Sequence, residues 1–309
     1  MDSRVWLPLI GSRLLPRDIN VITQLLANNN KASVSSVGST GNHSGKPDEK
    51  NSKKMILEDN FRRGFYNNII QGDKSVVLLV AIDTDALCTT MILTHLLRCD
   101  DIPFSILVVD GWESVEKIFA TAQEQKCYYI LINCGANHSL SRLQLPPASI
   151  AYVIDSHRPF NIENVYANDQ AFMLINSAER ADLRLPDADQ VMRDDSEDES
   201  SDDEDDDGEE NGVYSYEQRM EKIQRKAIRR EERQLWDRQR RNILWRYNES
   251  TWYSSPICVM ALELAAEMNR LSAESMWYAA VGLNSALNDK LIENSPVWVS
   301  PRFDLPEKV

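Results

Sequence analysis

The sequence predicts an α/β fold, a parallel sheet with helices on both faces, followed by an acidic disordered tract and an all-helical module. Three observations carry this. Short continuous apolar runs rich in β-branched residues alternate with segments of helical length, the pattern of βαβ units. Asp194 to Glu210 (DDSEDESSDDEDDDGEE) holds 13 acids and no base in 17 residues. Beyond it, Tyr214 to Tyr247 carries 11 bases against 5 acids with neither Gly nor Pro, the composition of one long helix.

The acidic tract accounts for nearly all of the net charge. The 309 residues sum to −14, and removing the tract leaves −1. The remainder is thus a near-neutral globular chain, and its length is that of about two domains. At 42% hydrophobic there is material for a core, which excludes wholesale disorder. No apolar run approaches the roughly 18 residues of a membrane span, so no membrane partner is expected. The N-terminus, with Asp2 and a short interrupted apolar run, reads poorly as a secretory signal. Cys88, Cys99, Cys127, Cys134 and Cys258 are odd in number and form no CxxC pair. They read as reduced, buried thiols, and structural zinc is set aside.

Residues 1–54 dissolve into an Asn/Ser/Gly/Lys-rich stretch without periodicity, expected to be a disordered extension. His43 within it is a solvated residue. From 55 to 190 the α/β domain is expected. Ile56, Phe61, Phe65, Ile69 and Ile70 lie near one helical face, so Ile56 to Ile70 reads as a helix. Ser75 to Ile82 (SVVLLVAI) reads as a strand buried on both faces. A helix follows over Ala86 to Leu97, with His95 packed on it. The unit then repeats: strand Phe104 to Val109, helix Ser114 to Gln125, strands Tyr128 to Ile132, Ile150 to Ile154 and Ala171 to Ile175. Residues 191–213 form the acidic linker and 214–294 the helical module, with helices over Tyr214 to Tyr247, Cys258 to Asn269 and Ala273 to Leu283. Trp236, Trp245, Trp252 and Trp277 suggest packing there. Residues 295–309, with three prolines, are an irregular end.

In a parallel α/β sheet, sites form at the carboxyl ends of the strands. Those ends read Asp83-Thr84-Asp85, Asp110-Gly111, Asn133-Cys134-Gly135 and Asp155-Ser156-His157. Carboxylates and an imidazole at one sheet edge suit Mn²⁺ or Mg²⁺, which activate water against a phosphodiester. The competing reading is structural. Asp83 or Asp85 caps the helix that follows, and Asp155 pairs with Arg158 or His157 in a turn.

The order of these motifs resembles the DHH phosphoesterases, the superfamily of the RecJ exonucleases. More narrowly, Phe61–Tyr66, VVLLVAIDTDALC, Gly111-Trp112, YYILINCGAN, VIDSHRPFNIENVY and SMWYAAVGL resemble the cell-division-control protein 45 family. The resemblance runs from about Met55 to about Leu291. That family is a non-catalytic relative of RecJ and a subunit of the CMG replicative helicase, with the MCM ring and GINS. The resemblance therefore implies a DHH-phosphoesterase-like fold and a nuclear, cell-cycle role in DNA replication initiation and elongation at chromatin and replication origins. It implies a scaffold that joins MCM and GINS, with single-stranded DNA contact in the complete molecule. It also implies a C-terminal DHHA1-like domain. The sequence is expected to lack that domain and reads as a truncated isoform or an incomplete gene model.

Measured against active members, three positions depart. Ala81 stands at the first of three alternating acids, Asn133 replaces an aspartate, and Ser156 replaces the middle histidine of Asp-His-His. What is left, Asp83, Asp85, Asn133, Asp155 and His157, is a vestigial DHH motif too thin in anionic ligands for two hard cations. No catalytic residue, metal or cofactor is expected. The alternative function is a metal-dependent phosphoesterase or single-strand exonuclease.

The acidic tract reads as a solvated linker, as a dock for a basic partner, or as a guard of nearby basic surface. Ser196, Ser200 and Ser201, set among acids, are candidate phosphosites. On the basic helix, Ile223, Leu235, Leu244 and Trp245 form a candidate partner-contact face, chosen because the resemblance places an MCM-contacting insertion after this region. The alternative is a solvated helix laced with i,i+4 pairs. Lys222 to Arg230 also matches a nuclear import signal.

Overall fold

The computed structural model describes residues 55–59, 61–72, 74–121, 126–143, 145–192 and 216–292. Residues 1–54, the acidic tract with Ser196, Ser200 and Ser201, and residues 295–309 lie outside the described residues. The described strands are β1 (Ile56–Glu58), β2 (Ser75–Ala81), β3 (Phe104–Val109), β4 (Cys127–Ile132), β5 (Ile150–Ile154), β6 (His157–Arg158), β7 (Ala171–Ile175) and β8 (Trp252–Tyr253). Six of them make one sheet in the order β1-β7-β5-β4-β2-β3, every pair parallel. β6 and β8 form a separate antiparallel ribbon.

The sheet follows from the apolar runs. All six residues of β4 are buried, as a central strand covered on both faces requires. Val76, Leu78 and Val80 of β2, Ile130 and Ile132 of β4, and Tyr152 and Ile154 of β5 join one core cluster. Burial of each such aliphatic side chain is worth about 1.5–3 kcal/mol. Helix α1 (Asn67–Gln71) continues a π-helical turn over Phe61–Tyr66, and its Phe65, Tyr66 and Ile69 enter that cluster. Helix α2 (Thr84–Cys99) covers the same face. Helix α3 (Trp112–Thr121) covers the other face, where Phe119 meets Tyr129 at 4.8 Å between ring centroids. The chain leaves β2 for β3 on one side and returns to β4 on the other, so the connections diverge between β2 and β4. The crevice at that divergence is the general position of sites in open α/β sheets.

Helix α4 (Ile162–Tyr166) joins the β5 region to β7, and α5 (Ala188–Val191) is a single turn. The long helix α6 runs over Tyr216–Glu249, then α7 over Ile257–Glu267 and α8 over Ala273–Asn288. Among the described residues no helix is long and apolar enough to cross a membrane.

Two expectations are corrected. Ile56 does not begin a helix. Ile56–Glu58 pairs parallel with Met173–Ile175 as an edge strand, and helical structure starts at Phe61. Three apolar-to-acidic residues beside an open sheet edge gain more from pairing than from extending a helix by one turn.

The helical C-terminal region is present, but it is not one module. The chain divides into two compact units, one holding the described residues up to Arg180 together with those from Trp252 onward, the other Ala181–Thr251. α7 and α8 belong to the first unit. Ile257, Cys258, Ala261, Leu264, Ala265, Ala279 and Ala280 share the core cluster of the sheet and α2. The second unit is α6 with the short α5, whose Val191 carbonyl accepts from Arg240 Nε at 2.7 Å. α6 is polar over most of its surface and has no apolar stripe wide enough to join a core, whereas α7 is apolar almost all round. Among the described residues the five cysteines are free thiols. Three are buried, Cys134 is half-buried, and Cys99, expected inside, is exposed.

Candidate functional site

The carboxyl edge of the sheet brings together Asp83, Asp85, Asn133, Asp155 and His157, the positions singled out in the sequence. Asp83 ends β2 and sits at the N-cap of α2, where its Oδ1 accepts from Ala86 N at 2.7 Å. The same oxygen accepts from Asn133 Nδ2 at 3.1 Å. Asn133, just past β4, has φ of +55°, a left-handed conformation that Asn tolerates better than most residues. Its Oδ1 accepts from both Ser156 N and Ser156 Oγ, each at 3.0 Å. Asp83, Asn133 and Ser156 thus form one hydrogen-bonded chain across three strand ends.

Asp85 has a different role, and the sequence did not suggest it. Its carboxylate reaches across to the start of α7, accepting from Ile257 N and Cys258 N at 2.9 Å each. Pro256, at the N-cap of α7, makes no side-chain cap bond. Asp85 therefore caps a helix 172 residues later in the chain, satisfying donors that the helix cannot satisfy itself. Burial pushes its carboxyl above the usual carboxylate range, only partly opposed by these hydrogen bonds.

Asp155 is buried, and three donors converge on it. Oδ2 accepts from Ala136 N at 3.0 Å, and Oδ1 accepts from His157 N at 2.9 Å and lies 2.6 Å from His157 Nδ1. That contact raises the His157 imidazole above its ordinary value, against the opposing effect of burial. Of the two partners considered for Asp155, it is His157 that the carboxylate takes. Arg158 instead donates to the carbonyls of Asp155 and His157 and to Glu179 Oε2 at 2.8 Å, with both side chains buried. Its guanidinium lies over Phe160, 4.2 Å from the ring centroid.

A cleft of about 150 Å³ opens above this edge. Asp83, Asp85, Asn133, Ser156 and His157 form one wall, and Tyr253, Ser254, Ser285 and Asp289 line it from β8 and α8. These last four were not legible as site residues. The only local signal is the small-residue run around Gly282, where a Cβ would stand 2.5 Å from Cys258 Sγ and so would push α8 away. Asp110, also at a strand end, is fully exposed and bonded to Ser114, outside the cleft wall.

The donor set does not fit a pair of divalent cations. The three aspartates that would ligate are engaged by backbone or side-chain N–H groups. Among the described residues no three His, Cys, Asp or Glu side chains come together as metal ligands.

The partner-contact residues do not share a face. Ile223, Leu235 and Trp245 are exposed on α6, whereas Leu244 lies on the opposite, partly covered side. At about 100° per residue, Leu244 and Leu235 point in opposite directions.

The fold and this edge define a class: a parallel α/β protein whose strand-end acids serve as helix caps and turn anchors. The family model described as CDC45 matches residues 76–222 and 176–297. The mouse "Cell division control protein 45 homolog" is 36% identical over 241 residues, and the human one 36% over 244. Each alignment covers 77% of this chain and 42% of the relative. A crystal structure of CDC45 from Entamoeba histolytica aligns at 19% identity and a TM-score of 0.49, covering 77% of this chain and 36% of that one. The chain belongs to the CDC45 family. It spans less than half the length of the mouse and human relatives it matches.

Proposed function

We propose that the chain is a non-enzymatic DNA replication initiation and elongation factor, a nuclear scaffold subunit that joins the MCM ring and GINS. Single-stranded DNA contact belongs, in this reading, to the complete molecule. The observation that carries the non-enzymatic part is the state of the strand-end acids. Asp83, Asp85 and Asp155 each accept from at least two N–H groups or an imidazole of the fold itself. A carboxylate already engaged in this way must break those bonds to take a hard cation, which gives up its own water reluctantly. Family membership supports the replication part.

The test uses the purified full chain. It is expected to retain MCM and GINS together on an affinity support, and to release no nucleotide from single-stranded DNA with Mn²⁺ or Mg²⁺. Metal-dependent cleavage that disappears in Asp155→Asn would overturn the non-enzymatic reading. Failure to retain either complex would overturn the scaffold.

A further inference from the structure

Helix α6 has two faces of opposite character. At 100° per residue, Met220, Ile223, Ile228, Leu235 and Trp245 fall within one arc of about 140°. These five are between 48% and 64% exposed. Trp236, Arg240, Ile243, Leu244 and Tyr247 lie on the other side and are partly covered. Beside the exposed arc a cleft of about 480 Å³ opens between α5 and the C-terminal half of α6, with Trp236, Asn242, Ile243 and Arg246 on its α6 wall.

Asp189 is the one acid on the cleft wall, and the C-terminal half of α6 beside it is basic. From Arg238 to Asn248 the helix carries Arg238, Arg240, Arg241 and Arg246 and no acid. Among the described residues, Arg238 and Arg246 have no ion-pair or hydrogen-bond partner, and Arg241 bonds only the Asp237 carbonyl. Exposed Trp245 among Arg238, Arg241 and Arg246 brings together residue types enriched in protein-docking hot spots.

We propose that this face of α6 is a docking surface for an acidic amphipathic helix of a partner protein. The apolar side of that helix seats on Ile228, Leu235 and Trp245, with one side chain in the α5–α6 cleft, and its carboxylates meet Arg238, Arg241 and Arg246. The inference deepens the scaffold reading by giving the chemistry of a partner. Its test does not depend on which replication proteins the chain joins. A second copy of the chain is the wrong occupant, because α6 carries 11 bases against 6 acids and self-pairing sets base against base. Nucleic acid is disfavoured by the aliphatic Met220, Ile223, Ile228 and Leu235, which run along most of the helix and offer no stacking surface.

The probe is a fluorescein-labelled three-heptad peptide with Leu at the a and d positions and Glu over most of the rest, titrated with the full chain by anisotropy. Binding with a dissociation constant on the order of 10 µM is expected, weakened by salt. A scrambled peptide of the same composition should bind at least about tenfold more weakly, since charge alone does not seat on the apolar arc. Leu235→Ser and Trp245→Ser, both at exposed positions, should each weaken binding about fivefold or more while the far-ultraviolet spectrum stays unchanged. Ile70→Ser, exposed in the other unit, should change nothing. The proposal is overturned by equal binding of the scrambled peptide, by no effect of the two α6 variants, or by no saturable binding up to about millimolar. It is also overturned if labelled oligothymidylate of about 20 nucleotides binds tighter than the peptide and displaces it.

Discussion

Removing the Asp85 carboxylate tests whether the motif acids hold the fold. Asp85→Ala deletes the acceptor of Ile257 N and Cys258 N, both bonded at 2.9 Å, at the entry of a helix that lies in the core. Each buried donor left without an acceptor costs about 1–3 kcal/mol, and loss of a helix cap on its own costs about 0.5–2 kcal/mol. The wild-type carboxylate is itself disfavoured by burial, which refunds part of that loss when it is removed. The net expectation is destabilisation of about 2–4 kcal/mol. Asp85→Asn retains one acceptor oxygen but turns an amide N–H₂ toward the second donor, so it should fall between, at about 1–2 kcal/mol. Urea unfolding at neutral pH, followed by far-ultraviolet circular dichroism on the transition that carries the sheet, reads both. Calorimetric titration of the wild-type chain with Mn²⁺ completes the experiment, with no saturable heat expected. A change below about 0.5 kcal/mol for Asp85→Ala, together with loss of a Mn²⁺ signal present in the wild type, would refute the capping argument and return Asp85 to a ligand role.

Three further outcomes follow from the same geometry. Burial, with Asp59, Glu267 and Glu179 nearby, pushes the Glu263 carboxyl up from 4.5 to about 7. The folded state therefore favours the protonated acid, and stability from this group is full below about pH 4.5, is lost as pH rises through about 7, and changes no further above that. Glu263→Gln should be more stable than wild type at pH 8 by about 2–3 kcal/mol and nearly equal at pH 5, read by paired urea melts. Gly282→Ala places a Cβ 2.5 Å from Cys258 Sγ. It should cost about 1–2 kcal/mol despite the better helix propensity of Ala, and Cys258→Ala should rescue it in the double variant. Arg158→Ala leaves Glu179 buried without its cation and should cost about 3–5 kcal/mol, whereas Arg158→Ala with Glu179→Ala should recover part of that loss, measured as a double-mutant cycle.

Much of the sheet was legible because its signal is local. A strand covered on both faces must be apolar at every position, so SVVLLVA and CYYILI announce themselves, and the acids that follow mark the strand ends. The order of those ends also located the crevice, since a parallel α/β sheet leaves its carboxyl edge open whatever the side chains are. The long helix was equally plain from its unbroken run of helix formers. By itself, then, the sequence determined the layers and the edge on which a site sits. Tertiary structure decided what each acid at that edge does. The pattern of α7 says that it is buried, but nothing periodic says that it is buried against α2, nor that its first two N–H groups will meet Asp85. The same holds for Ile56–Glu58, too short to declare a period. Hydrogen bonds between residues 172 apart depend on how two elements dock, and docking depends on the shape of the whole core.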